Sequence, residues 1–259
     1  MAIGLCLGLV GAGGSILTIP VFVYILKTEP VTSTVYSMFI VGICSLAGSI
    51  RSFFKGFIDV KVALLFGVPS VTGVFIARKL IFPALPQKVF CVWGMAVSKN
   101  VCIMLCLAAI MLVVSIKMLK KPVKNAATTG NSTKNKTFLV FCQGMVTGII
   151  TGLLGVGGGF LIMPALLLWL KLPVKTAIGT ALLIITINSF TGFITSYNMV
   201  HIEWSLLVKF ATGAIAGILV GTKLSEKIHP GNLKIALGWF IIATSIYVLY
   251  TQFKICIKL

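Results

Sequence analysis

The chain has 259 residues, of which 58% are hydrophobic and 10% are charged, and its formal net charge is +18. Such a composition is far too apolar for an ordinary soluble domain of this length. The lysines lie between the apolar segments rather than along one polar face, which argues against nucleic-acid binding and is typical of the loops of a membrane protein.

The apolar segments predict eight membrane elements in two groups of four, because a helix needs about 20 apolar residues to cross a bilayer core. The first group comprises residues 1–26, 31–54, 62–80 and 100–119, and the second comprises residues 138–170, 176–197, 205–221 and 233–250. The first group also carries extra residues at 82–99, which we predict to form a loop at the membrane interface.

The only long polar stretch, residues 120–137, is basic and separates the two groups as a flexible linker. We therefore predict an all-α polytopic membrane protein of two homologous repeats with four membrane elements each. The N-terminal transmembrane repeat is 1–119, the linker is 120–137, and the C-terminal transmembrane repeat is 138–259.

One glycine-rich motif occurs twice, at an offset that takes Gly11 to Gly155. The two copies are Gly11-Ala12-Gly13-Gly14-Ser15, followed by Pro20, and Gly155-Val156-Gly157-Gly158-Gly159, followed by Pro164. Asp59 and Glu203 are paired at the same offset. A glycine cluster inside an apolar segment of both halves is typical of duplicated transporters, whose site lies where the halves meet.

The first element of each repeat is predicted to be broken at its glycine cluster. Residues 138–170 would make a helix of about 50 Å, too long for one crossing, and each glycine in a helix interior costs about 1 kcal/mol. Unwound backbone at membrane depth is tolerated only inside the protein or beside a wet cavity. The break should therefore face the interior.

The topology has two alternatives. If the broken elements cross the membrane once, each half has four crossings and the repeats are parallel. If the broken elements enter and return, each half has three crossings and the repeats are inverted. The second arrangement places most basic residues on one side, which favours inverted repeats; these residues are Arg51, Lys55, Lys61, Lys171, Lys175, Lys223, Lys227, Lys234 and the linker lysines.

The glycine clusters are the first candidates for a binding site. A helix that begins after an unwound segment presents free N–H groups and the positive end of its dipole to an anion. The predicted substrate-binding residues of the clusters are Gly11, Gly13, Gly14, Ser15, Gly155, Gly157, Gly158 and Gly159. Pro20 and Pro164, which end the motifs, are predicted to break or gate the helices.

Close helix packing is the alternative for glycines at four-residue spacing. We prefer it for three sets, which are Gly4 and Gly8, Gly144, Gly148 and Gly152, and Gly213, Gly217 and Gly221.

Four polar residues outside the glycine clusters also need an interpretation. Asn188 lies in the middle of an apolar element and either binds the substrate or makes an interhelical hydrogen bond; Ser45 is a weaker counterpart in the first half. Asp59 and Glu203 open equivalent helices, where acids cap the helix N-terminus. Their alternative role is proton coupling.

The apolar segments contain no acid pair, His–Glu pair or Cys–His pair, which argues against an enzyme and against a metal site. Neither glycine cluster follows a strand or carries a Gly-Lys-Ser/Thr sequence, which argues against a nucleotide site. We therefore predict no catalytic residue, no metal and no cofactor.

At these motifs the chain resembles the sulfite exporter TauE/SafE family. The resemblance rests on Gly8-Leu9-Val10-Gly11-Ala12-Gly13-Gly14-Ser15, on Gly152-Leu153-Leu154-Gly155-Val156-Gly157-Gly158-Gly159, and on Pro173-Val174-Lys175-Thr176-Ala177-Ile178-Gly179-Thr180. It covers nearly the whole chain, although Ala12 and Ser15 depart from a fuller glycine run.

This resemblance implies a secondary permease in the inner cell membrane, with multiple crossings, that carries small sulfur-containing anions such as sulfite or organosulfonates. An anion channel of the same architecture, or a transporter of another small anion, is the alternative. The partners are then the anion and the lipid bilayer, and the small-residue faces leave open whether the protein forms a homodimer.

Overall fold

The computed structural model describes residues 18–84, 88–92, 95–98, 133–168, 170, 172–200, 202–225, 238–239 and 242–251, and single residues or pairs between 105 and 116. Its main helices are α1 (Pro30–Phe54), α2 (Val60–Ile76), α3 (Thr133–Leu154), α4 (Gly159–Leu168), α5 (Val174–Ser196), α6 (Trp204–Ser225) and α7 (Ile242–Thr251). The predicted helical class is therefore confirmed for the described parts of the membrane elements.

Short helical segments flank three of these helices. A turn of α-helix, Thr18–Pro20, and a π-helical turn, Val21–Ile25, precede α1. A π-helical turn, Ala77–Ile81, and then Phe82–Ala84 continue α2, and a 3₁₀ turn, Tyr197–Met199, continues α5.

The segment 82–99, predicted as a loop, contains a short antiparallel hairpin. Its strands are β1 (Lys88–Val92) and β2 (Met95–Ser98), with Val92 opposite Met95 and Cys91 opposite Ala96. The all-α prediction missed this hairpin. Both strands contain valine, and β1 also contains an aromatic residue. These residue types favour strands, and the segment is too short for a helical crossing.

Local sequence signals explain where α1 and α2 begin. Pro30 occupies the first turn of α1, where its fixed φ suits a helix and its missing N–H costs nothing. Asp59 caps α2, since its Oδ1 accepts a hydrogen bond from the Val62 N–H at 3.1 Å. Between the two helices Gly56 has a φ of +69°, which lets a short connection turn the chain back.

Three helical segments of the described chain are long and apolar enough to cross a membrane, namely Pro30–Phe54, Val60–Ala84 and Val174–Met199. Many of their large apolar side chains face outward, for example Phe54 at 83% and Ile194 at 70% exposure. Exposed apolar surface on this scale suits contact with lipid rather than water. The chain is therefore a membrane protein.

Helices α1 and α5 form the centre of the structure. In their apolar windows 72% and 67% of the residues are buried, against 44% in the span that contains α2. The neighbours across the α1–α5 interface run in opposite directions along the chain, pairing Met38 with Gly192, Gly42 with Ser189, and Gly48 with Leu182. The two helices are therefore antiparallel.

Helix α2 is parallel to both α3 and α5. Ser70 of α2 accepts a hydrogen bond from Asn188 of α5, and further along Val74 contacts Gly192. Against α3 the pairs run in the same order, namely Phe66 with Gly144, Ser70 with Gly148, and Val74 with Gly152. Backbone approaches this close need residues without a Cβ, so the packing interpretation of Gly144, Gly148 and Gly152 is confirmed.

These directions require the chain to turn back between α3 and α5. The two helices run the same way, and the apolar part of α3, Phe138–Leu154, is about 25 Å long at 1.5 Å per residue. The segment that contains α4 must therefore bring the chain back toward the side from which α3 entered.

The starts of the helices repeat at the offset of the glycine motif. The offset from Gly11 to Gly155 also takes Pro30, where α1 begins, to Val174, where α5 begins, and it takes Val60 at the start of α2 to Trp204 at the start of α6. Equal offsets are what a duplicated chain would produce. The complete arrangement of two repeats stays a prediction, because the first element of the first repeat begins outside the described residues.

Two hydrogen bonds between the halves follow the same offset. The Asp59 N–H donates to Thr180 Oγ1 at 3.0 Å, and the Glu203 N–H donates to the Tyr36 hydroxyl at 2.8 Å. Tyr36 and Thr180 are also related by the offset that takes Gly11 to Gly155, so the two bonds connect pairs of positions that match at this offset. A further link joins the last predicted elements, where Ser245 donates to the Ala108 carbonyl at 2.7 Å.

Candidate functional site

The second glycine cluster forms a break between two helices. Helix α3 ends at Leu154 and α4 begins at Gly159, which leaves residues 155–158 as the break. Gly155, Gly157 and Gly158 have φ angles of +72°, +68° and +86°. L-residues with a side chain rarely adopt these angles, which is why the sequence has glycine there. The break predicted within residues 138–170 is therefore present.

Hydrogen bonds define both edges of the break. The Gly155 N–H donates to the Thr151 carbonyl at 2.9 Å and closes α3, while the Leu161 and Ile162 N–H groups donate to the Gly158 carbonyl and open α4. The first amides of a helix have no acceptor within it and carry the positive end of its dipole. Gly159 is the first residue of α4, in the predicted position for an anion site.

Pro164 is not at the break. It lies inside α4, beyond the first turn that Gly159 begins, and the helix continues on both sides of it. The interruption of the chain therefore comes from the glycines, and a gating role for Pro164 stays a prediction.

The break is buried between helices α1 and α5. A Cβ added to Gly157 would meet Ser189 Oγ of α5 and Val41 Cγ1 of α1, the latter at 2.8 Å. Val41 lies at the middle of the 25-residue helix α1, so the unwound backbone lies deep in the apolar part of the protein. This agrees with the expectation that the break faces the interior.

On its other side the break is in contact with Arg78, a residue that the sequence analysis missed. A Cβ added to Gly155 would meet Thr34 Cβ, and it would lie 2.5 Å from Arg78 Nη2. Arg78 is 0% exposed, and its Nε, Nη1 and Nη2 have no hydrogen-bond partner in the described part of the chain. Its guanidinium carbon lies 4.8 Å from the centroid of the Phe82 ring.

The described contacts of Arg78 do not compensate the free-energy cost of burying its charge. An arginine keeps its charge in proteins, and removing a charge from water costs several kcal/mol even after relaxation. The contact with the Phe82 ring is worth about 2 kcal/mol when desolvated. The sequence carries one signal for this residue, since Arg78 lies within the apolar run 62–80.

Asn188 makes the interhelical hydrogen bond considered for it, and its binding of substrate stays a prediction. The residue is 1% exposed, and its Nδ2 donates to Ser70 Oγ of α2 at 2.7 Å. Its Oδ1 has no partner among the described residues, nor does the hydroxyl of Ser189, which lies against the break. The amide thus makes an interhelical hydrogen bond on one side and keeps an unpaired oxygen on the other. Ser45, the counterpart of Ser189 in the first half, is likewise buried, and its hydroxyl is unpaired within the described structure.

Asp59 lies away from the break. Asp59 caps the start of α2, whereas the break contacts Arg78 beyond the opposite end of that helix, about 28 Å along the helix axis. Glu203 is exposed and immediately precedes α6. The capping role of Asp59 is therefore confirmed, and proton coupling by either residue stays a prediction.

The first glycine cluster, with Gly11, Gly13, Gly14 and Ser15, lies outside the described residues. Pro20 is described, and it is buried at the end of the turn Thr18–Pro20. The Thr18 hydroxyl just before it is buried without a hydrogen-bond partner in the described structure. The residues that the structure describes contain no group of three His, Cys, Asp or Glu side chains able to hold a metal ion.

Comparisons with known proteins give one family and several membrane transporters as relatives. The family model of the sulfite exporter TauE/SafE matches residues 1–248. A "probable membrane transporter protein" of Xylella fastidiosa (strain Temecula1) is 29% identical over 259 residues, covering 96% of this chain and 91% of that relative. The "probable membrane transporter protein YdhB" of Bacillus subtilis (strain 168) is 26% identical over 236 residues, covering 91% of each. No solved structure matches the chain significantly.

The family match spans nearly all of the chain, and it includes the glycine break that the structure places between α1 and α5. This protein therefore belongs to the sulfite exporter TauE/SafE family of membrane transporters.

Proposed function

We propose that this protein is a multi-pass secondary permease of the inner cell membrane that carries small sulfur-containing anions such as sulfite or organosulfonates. The observation that carries the proposal is the buried glycine break, residues 155–158, with the N-terminus of α4 following it. A helix start of this kind binds anions through its free amides. The family description supplies the sulfur chemistry.

The depth of Gly157 supports a site that reaches the midplane of the membrane. Gly157 contacts Val41 at the middle of α1, and Ser189, which is close to the middle of α5. Transporters built from repeats hold their substrate at this depth, at half-helix ends.

The helix directions support inverted repeats. Helices α1 and α5 begin at equivalent positions of the two halves, which are related by the offset of the glycine motif, and they are antiparallel. Equivalent helices that run oppositely through the membrane belong to halves of opposite orientation. The return of the chain after α3 supports the same arrangement, because it makes the broken element enter and come back.

In the mechanism that follows, the two halves rock against each other and expose the break to each side of the membrane in turn. The membrane potential or a proton drives the anion, and Asp59 and Glu203 are the candidate carboxylates if a proton is coupled. The lipid bilayer surrounds the exposed apolar faces, some of which would be covered if the protein forms a homodimer.

Proteoliposomes loaded with sulfite test this function. The wild-type protein should catalyse saturable sulfite flux with counterflow, and Gly158→Leu should abolish the flux while the protein still inserts. A Cβ at Gly158 would lie 3.0 Å from Ile162 and 3.1 Å from Thr151, so a larger side chain has no room. Gly56→Leu is the matched control, because Gly56 has a similar φ of +69° and nothing within 4 Å.

The outcomes separate the alternatives. Unchanged flux through Gly158→Leu would remove the break from the site. Flux without counterflow, together with single-channel currents in planar bilayers, would indicate the anion channel instead. Flux of phosphate or chloride in place of sulfite, organosulfonates and sulfate would indicate another anion.

Cysteine labelling tests the inverted repeats. Single cysteines at Lys124 in the linker and Lys175 at the start of α5, in a cysteine-free background, should react with an impermeant thiol reagent from the same side. Helix α3 follows the linker and is parallel to α5, so both positions should precede helices that enter from one side. Labelling from opposite sides would contradict the inverted arrangement.

A further inference from the structure

We propose that the guanidinium of Arg78 is the charged contact of the transported anion, and that it forms one binding site with the start of helix α4. The ligand is a small sulfur oxyanion or the sulfonate group of a small organic molecule. This inference rests on the proposed function and assigns the residue that carries the positive charge.

Arg78 faces the inside of the protein, unlike the cation next to it. Arg78 is 0% exposed, whereas Lys79 is exposed and its Nζ lies 5.1 Å from the centroid of the Phe75 ring. Both residues belong to the π-helical turn Ala77–Ile81, and such turns occur frequently at functional sites. Arg78 is therefore buried although the adjacent position of the same turn is exposed.

The described carboxylates do not neutralise Arg78. The chain has four acidic residues, and none of the three that the structure describes forms an ion pair with Arg78. Glu29 and Glu203 are exposed, and the carboxylate of Asp59 caps the far end of α2. Glu226 lies outside the described residues and is the one acid left as an internal partner. An anion stabilises a buried guanidinium, and Glu226 and a bound ligand are the two candidates. The negative end of the α3 dipole also lies at this edge of the break, but none of the three guanidinium nitrogens donates to a described carbonyl.

The second positive feature of the site is the start of α4. Arg78 Nη2 lies beside Gly155, and the ten-residue helix α4 begins at Gly159, just after the break. A helix N-terminus carries about half a positive charge. Two positive groups at one buried break together attract an anion, which favours a ligand at this position.

The contacts also limit the chemistry of the ligand. A guanidinium binds two oxygens of one anion through parallel N–H groups, and the Ser189 hydroxyl beside Gly157, unpaired among the described residues, is able to donate to a third. Thr34 and Val41 lie close to the glycines and leave little width. A compact group with several oxygens on one sulfur meets these conditions.

The buried guanidinium of Arg78 has no counterpart in the other half of the chain. At the offset of the glycine motif the counterpart of Arg78 is Thr222, while the neighbouring Lys79 is matched by Lys223. The guanidinium is therefore present in one half only. We expect one sulfite bound per protein chain.

The experiment compares Arg78→Gln with Lys79→Gln in the full-length chain, by sulfite binding in detergent and by flux in proteoliposomes. Arg78→Gln should weaken sulfite binding at least about 100-fold, the loss typical when one partner of a buried charge pair is removed. Arg78→Lys keeps the charge without the planar fork and should weaken it about tenfold. Lys79→Gln should bind and transport sulfite like the wild-type protein.

A merely structural arginine would behave differently. If Arg78 pairs with Glu226, then Arg78→Gln and Glu226→Gln should lower the melting temperature equally and leave the dissociation constant of the folded protein for sulfite unchanged, which would overturn the proposal. A wild-type protein that moves none of sulfite, sulfoacetate, taurine or sulfate would contradict the proposed function and this site together. Wild-type flux that persists in Arg78→Gln would contradict the site alone.

A second measurement does not depend on replacing Arg78. The chain has two arginines, Arg51 and Arg78, so Arg51→Lys leaves Arg78 as the single arginine. In this variant, labelled with ¹⁵N-guanidino arginine and held in liposomes, saturating sulfite should shift the Arg78 resonances. Taurine and sulfate as further probes then separate a sulfonate from a free oxyanion. Unshifted resonances in the presence of bound sulfite would overturn the proposal.

Discussion

The two ends of the span that contains helix α2 hold opposite charges in opposite environments. At its start Asp59 is partly exposed, its carboxylate accepts the Val62 N–H, and its own N–H donates to Thr180. At its end Arg78 is fully buried and has no hydrogen bond from the described residues. A partly exposed carboxylate that caps a helix stabilises the fold, whereas a buried charge without a hydrogen bond is suited to an external partner.

Asn188 is intermediate in its hydrogen bonding, because its amide nitrogen is bonded and its amide oxygen has no partner among the described residues. The comparison therefore orders the three residues by their unpaired groups. We expect the effect of substitution on transport to follow the same order, with Arg78 first, Asn188 second and Asp59 last.

Asn188→Leu keeps the approximate volume of the side chain and removes both polar atoms. If the unpaired Oδ1 or its neighbours contact the substrate, this variant should raise the KM for sulfite about tenfold. The matched control is Ser70→Ala, which removes only the interhelical bond and should cost about 0.6 kcal/mol of stability, the average for such bonds in membrane proteins. Equal transport losses in the two variants would reduce Asn188 to a packing role.

Asp59→Asn should have the smallest effect, because asparagine caps a helix as well as aspartate does. The melting temperature, the sulfite flux and the pH dependence of that flux should all stay close to wild type. Asp59→Ala should instead cost about 0.5–2 kcal/mol of stability through loss of the cap. If Asp59→Asn abolishes the pH dependence of flux, the residue couples protons and the comparison fails.

The local signals in the sequence were sufficient for much of the fold. Apolar length predicted the helices around 31–54, 62–80 and 176–197, and the excess length of 138–170 with its central glycines predicted the break. The hairpin at 88–98 was missed because a short apolar run has no decisive periodicity. Spacing alone also separated the packing glycines 144, 148 and 152 from the glycines of the break.

The candidate site could be predicted only in part. Three left-handed glycines in one cluster are visible in the sequence, because only glycine tolerates that conformation without cost. The inward position of Arg78 was not visible, since adjacent arginine and lysine residues near the end of an apolar run normally both reach toward the membrane surface. The contact of Arg78 with Gly155 distinguishes the two residues, and this contact is not a local property of the sequence.

The sequence by itself determined the membrane class, the family, the positions of the helices and the place where one of them breaks, because hydrophobic length and glycine conformation act over a few residues. Only the tertiary structure decided that α1 and α5 are antiparallel, that Asn188 bonds to Ser70, and that Arg78 lies against the break. These depend on contacts between residues far apart along the chain, and such contacts are set by the packing of whole helices.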